Sequence, residues 1–120
     1  MDADFSAGSV AHSAAKSALN TFGRHAAGYA ARFGIPVNTV APGSVRTDAS
    51  ALVNTAEIID YLAERSLLGR PLEPEDIGEV IAMTADAQFG PVTEQIITVD
   101  SGMRVLDQQI SMVGKRFGDD

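Results

Sequence analysis

Two short segments constrain the fold of this chain more than anything else in it. Ile35-Pro36-Val37-Asn38-Thr39-Val40-Ala41 and Gln95-Ile96-Ile97-Thr98-Val99 are apolar and β-branched along their length, without the clean alternation of a strand that has one wet face. Strands of that kind belong to parallel sheets covered on both sides. Residues 42–94 between them carry helical patterns, and a helical crossover is what a parallel pair needs, right-handed by default. The fold class expected is therefore α/β, with two parallel strands and packed helices. Two such strands cannot cover their own edges and faces, so the sheet is incomplete without a partner.

The helices follow from composition and punctuation. Ser9 to Phe33 is alanine-rich, with Ser9 placed to cap its start and Gly34 placed to end it. Gly23 and Gly28 lower helix propensity, but with the alanines they make a smooth face that fits either intrachain packing or a subunit interface. Ala56 to Arg65 has helical periodicity, and Pro74 opens another helix, with Glu75 and Asp76 in its first turn, running to about Asp86. The domain expected spans residues 1–103. A tail, 104–120, carries a short apolar period through Val105, Leu106, Ile110, Met112 and Val113, a pattern that begins just past Met103.

Charge and cysteine content exclude several functions. The formal charge is −7, the opposite of the basic footprint that nucleic acid or an anionic membrane demands. There is no cysteine, hence no disulfide, thiolate metal site or cysteine nucleophile. Neither a bilayer-spanning apolar run nor a secretory signal is visible, so the expected location is the cytoplasm. No metal site is expected, because His12 and His25 stand too far apart on their helix to share an ion.

The chemistry-bearing residues begin with His12 and Lys16, four residues apart and so on one face of the first helix. His12-Ser13-Ala14-Ala15-Lys16-Ser17-Ala18-Leu19-Asn20 resembles the Tyr-x-x-x-Lys active-site helix of short-chain dehydrogenases/reductases, with His12 in place of the tyrosine. Gly34 to Thr47, ending Ala41-Pro42-Gly43-Ser44-Val45-Arg46-Thr47, resembles that family's next strand and its Pro-Gly cofactor loop. Leu68-Gly69-Arg70-Pro71-Leu72-Glu73-Pro74-Glu75-Asp76-Ile77 looks like the family's linker into its last large helix. Ile97-Thr98-Val99-Asp100-Ser101-Gly102 is similar to its final strand, with Ser101 where a glycine is usual.

The resemblance covers the C-terminal half of the family pattern and implies the C-terminal part of a Rossmann-like, doubly wound parallel sheet. It implies NAD or NADP as cofactor, with Lys16 at the ribose and Pro42, Gly43, Val45 and Thr47 at the nicotinamide end. The glycine-rich turn that cradles the pyrophosphate and the family's catalytic serine have no counterpart here. His12 either serves as acid/base, since an imidazole titrates near neutral pH, or marks lost catalysis; its ring is shorter than a phenol. Lys16 is expected to be buried at that site. The function expected is a truncated reductase-like protein, inactive and without cofactor as a lone chain. It would associate as a homo-oligomer or with a reductase-like chain. The alternative is an NAD(P)-dependent carbonyl reductase of ketoacyl type, active once the missing half is supplied.

Overall fold

A computed structural model of the protein describes residues 7–48 and 55–102, and side chains in the first helix from Val10 onward. The alanine-rich stretch forms α1, Ala7–Ala30, which tightens into a 3₁₀ turn at Ala31–Phe33. Gly34 ends it as expected: its φ of 70° is left-handed, which glycine adopts without a Cβ clash, and its N–H donates to the Ala31 carbonyl at 2.9 Å. Because the helix begins at Ala7, Ser9 lies within its first turn and is no cap. The remaining elements are β1 (Thr39–Pro42), α2 (Ala56–Arg65), α3 (Pro74–Thr84) and β2 (Ile96–Val99). The tail expected at 104–120 lies outside the described residues.

The chain divides into two compact units. The first holds residues 7–39 and 84–97 among those described. Here α1 turns Gly23 and Ala27 inward: Ala27 is 3% exposed, and a Cβ on Gly23 would lie 2.5 Å from Thr39 Oγ1. No side chain fits there, so glycine is what lets the helix backbone approach Thr39. Gly28, by contrast, has nothing within 4 Å of its Cβ position. The strand is shorter than the run from Ile35 to Ala41 suggests. Pro36 has no N–H to give a ladder, and Asn38 uses its side chain instead. Its Nδ2 donates to the Val92 carbonyl at 2.8 Å and its Oδ1 accepts from the Gln95 N–H at 3.1 Å. The Glu94 N–H adds a bond to the Val37 carbonyl at 2.8 Å. The helix expected to run to about Asp86 ends at Thr84, and Asp86 caps a separate 3₁₀ turn at Ala87–Phe89, accepting from the Gln88 N–H.

The second unit holds residues 40–48, 55–83 and 98–102 among those described. Thr55 caps α2 by accepting from the Ile58 N–H, and Ile59 and Ala63, one turn apart, are its buried residues. With Leu72, at 4% exposed, they make the small apolar centre of this unit. Pro74 sits in the first turn of α3, where its missing N–H costs nothing. Asp76 reaches back to accept from the Glu73 N–H at 2.8 Å, closing that helix end.

β1 and β2 are neighbours in a two-stranded sheet. Thr39 N–H donates to the Gln95 carbonyl in the first unit, and Gly43 N–H donates to the Val99 carbonyl in the second. Partner numbers rise together, so the pair is parallel, as the apolar strand pattern requires.

Candidate functional site

The loop that leaves β1 shapes a cavity of about 500 Å³ in the second unit. Its wall is Pro42, Gly43, Ser44, Val45 and Thr47, completed by Pro74 and Ile77 at the opening of α3. All of the loop residues singled out in the sequence meet here. Ser44, Pro74 and Ile77 join them; all three stand in the motifs quoted from the sequence, but none was singled out there as a site residue.

Local structure explains the wall. Gly43 is required by packing: a Cβ there would lie 2.7 Å from Asp100 Cβ and 2.9 Å from Asp100 Cα. Its N–H bond to Val99, at 2.8 Å, continues the pairing past Pro42, which has no N–H to offer. Val45 forms an isolated parallel bridge with Leu72, and the Arg46 N–H donates to the Leu72 carbonyl at 3.0 Å. Backbone so extended sends successive side chains to opposite sides. Val45 and Thr47 thus line the cavity, while Arg46 turns away from it toward Glu73 and Asp60.

The turn after β2 backs the loop. Ser101 has φ 56° and is 8% exposed, and its Oγ finds no hydrogen-bond partner among the described residues. That left-handed conformation accounts for the glycine usual at this place in the resembling family. At the other end of the wall, Arg70 holds Asp76 with two hydrogen bonds, at 2.8 and 2.9 Å. The Arg70 bonds first, and the Glu73 N–H second, hold the Asp76 carboxyl well below the usual carboxylate range, at about 2.

His12 and Lys16 stand on α1, in the first unit, in line at helical spacing with the inward-facing Gly23 and Ala27. Both are exposed, so the burial expected of Lys16 is not found. The reason is local: their stretch of the helix has no neighbour covering it among the described residues of its unit. His25 is exposed as well.

Known proteins resemble this chain in sequence and fold. A family sequence model described as enoyl-(acyl carrier protein) reductase matches residues 4–104. A tropinone reductase homolog of Arabidopsis thaliana is 36% identical over 100 residues, which is 83% of this chain and 37% of the relative. The solved structure of a short-chain type dehydrogenase/reductase from Mycobacterium ulcerans superimposes with a TM-score of 0.68 at 30% identity, over 88% of this chain and 39% of that one. A 4-hydroxyisoleucine dehydrogenase mutant, complexed with NADH and succinate, shares the fold at 22% identity, with a TM-score of 0.68 over 77% of this chain and 38% of its own. The chain thus spans about two fifths of the length of the curated relatives it matches. Among the described residues, no helix is long and apolar enough to cross a membrane.

Proposed function

The chain belongs to the short-chain dehydrogenase/reductase family, and from that premise we propose that it is the nicotinamide-side part of an oxidoreductase, inactive as a lone chain and working as an associating subunit. The observation that carries the reading is the cavity. Its volume of about 500 Å³ falls in the range of small-ligand sites, and its wall is mostly apolar with backbone close at hand. Pro42, Gly43, Ser44, Val45 and Thr47 would hold the nicotinamide end of NAD or NADP there, orient the ring and exclude water from it. Nicotinamide held there would supply hydride transfer between the cofactor and a carbonyl or alcohol carbon. Family membership implies a ribose-binding role for a lysine at the position of Lys16, which the first unit presents exposed.

The pyrophosphate end has no equivalent support. Gly23 is committed to its approach to Thr39, and Gly28 lies within α1, so neither stands at a helix N-terminus after a strand. His12, exposed and shorter than a phenol, marks the place where proton transfer stopped. Association is supported by Leu19, Phe22, Ala26, Tyr29 and Phe33, which recur at heptad spacing along one side of α1 and the turn after it. Leu19, Phe22, Tyr29 and Phe33 are all more than half exposed, an apolar stripe that a reductase-like partner, a second copy or a related chain, would cover. The intact cavity wall also favours the second reading, a carbonyl reductase active once complemented by the half that relatives possess.

Calorimetric titration of NADH and NADPH into the purified chain tests the first reading: no micromolar binding is expected, and a micromolar Kd overturns it. Light scattering on the same sample should give a dimer or larger species; a well-folded monomer without exposed apolar surface counts against the associating role. Restoring the tyrosine by His12→Tyr in a complex with a partner half distinguishes decay from use. Activity gained supports decay, and activity unchanged or lost means that the histidine works.

A further inference from the structure

We propose that Arg46 is a positioning residue that sets the width of the cavity by tying its two walls together from behind. One wall is the loop from Pro42 to Thr47, and the other is Pro74 with Ile77 at the start of α3. Arg46 lies between two cavity-lining residues of the first wall and itself does not line the cavity. It grips the approach to the second wall twice. Its N–H donates to the Leu72 carbonyl at 3.0 Å, and its Nη1 donates to Glu73 Oε1 at 3.3 Å, one residue before Pro74. Its Nη2 donates to Asp60 Oδ1 on α2, so the same guanidinium also fixes the loop to a helix that buries Ile59 and Ala63 in this unit. Glu73 is secured in turn, because its N–H donates to Asp76 and Asp76 is held by Arg70. The linkage therefore runs from the loop, through one planar cation, to the first turn of α3.

Arginine suits the task and lysine does not. A fork of five donors reaches two carboxylates in fixed directions, whereas an ammonium is a single point charge on a flexible stem. The three side chains are each about half exposed, at 40%, 56% and 44%, so the individual pairs are screened and modest in stability. Their effect is geometric: they decide where Val45 and Thr47 stand relative to Ile77.

The test uses the full chain and two readouts. Without ligand, the amide resonances of Val45 and Thr47 and the methyl resonances of Ile77 are recorded for the wild type, Arg46→Met, Glu73→Gln and the charge exchange Arg46→Glu with Glu73→Arg. Both single changes should displace these signals while leaving Ala27 and Ile96 in place, and the exchange should bring them back toward the wild type. Unmoved signals in both single variants, or equal displacement at Ala27 and Ile96, overturn the proposal. If Arg46→Met does not fold, the isosteric Glu73→Gln decides alone. The second readout is titration with nicotinamide mononucleotide, which rests on the reading of the cavity given above. Arg46→Met should weaken it about threefold to tenfold, the scale of one or two networked ion pairs. A wild type that takes up none of this probe even at millimolar concentration, far above the micromolar range excluded for the lone chain, defeats the cofactor reading, while the unliganded spectra still judge Arg46.

Discussion

Replacing Ser101 by glycine should stabilise this protein, although it deletes a buried side chain. At φ 56°, a residue with a Cβ carries roughly 1–2 kcal/mol of left-handed backbone strain. The conformation is imposed from outside the residue: Leu68 N–H donates to the Ser101 carbonyl at 3.1 Å and Gly102 N–H donates to Asp100 Oδ1 at 2.9 Å, so the turn persists in the variant. The Ser101 hydroxyl is buried and without a hydrogen-bond partner among the described residues, a defect of about 1–3 kcal/mol. A neighbouring cavity of about 20 Å³, lined by Ser44, Ser66 and Asp100 among others, has room for one water, which puts this contribution at the low end, about 1 kcal/mol. Glycine frees the unfolded chain, which costs about 0.5–1 kcal/mol. The net gain is about 1–2 kcal/mol, or a rise of roughly 4–8 °C in Tm for a chain of this size. Ser101→Ala separates the causes, since it removes the hydroxyl and keeps the strain, and should gain no more than about 1 kcal/mol. Thermal and urea unfolding of the three proteins should rank glycine above alanine above serine. A glycine variant no more stable than the alanine variant refutes the strain argument.

Three further substitutions test the architecture directly. Gly43→Ala should destabilise by about 1–3 kcal/mol in urea unfolding, because the added methyl meets the Asp100 backbone at 2.9 Å. Gly28→Ala, within α1 and with nothing within 4 Å, should instead stabilise by about 0.5–1 kcal/mol in the same assay. NMR titration of Asp76 should find its midpoint at about 2, and Arg70→Ala should return it toward the ordinary carboxylate value near 3.9. Because the folded value is depressed, the Arg70–Asp76 pairing contributes to stability above about pH 4 and loses that contribution as the pH falls toward 2. Acid unfolding of Arg70→Ala should accordingly be shallower over that window; equal slopes would refute the linkage.

The legible parts of this molecule are those in which one local rule acts alone. Gly34 closes α1 because a helix end needs a left-handed residue, and Ala56–Arg65 is helical because apolar side chains recur at its period. The illegible parts are those in which a distant group replaces the local rule. Ile35 to Asn38 has strand composition, yet Asn38 spends its amide on Val92 and Gln95, sequence neighbours of the other strand that no local pattern could supply. Gly43 was legible as part of a loop that resembles the family's cofactor loop, but its absent Cβ is explained by Asp100, which arrives from the far end of the chain. Arg46 shows the same limit within the site itself. Its neighbours Val45 and Thr47 were identifiable by resemblance, whereas its own part depends on Asp60 and Glu73, two carboxylates of an acidic chain with nothing in their sequence positions to connect them. One local signal was available: in an extended segment, the residue between two cavity-facing side chains must point the opposite way. A charged residue in that position needs a partner behind the wall, and only the folded chain says that Asp60 and Glu73 supply it.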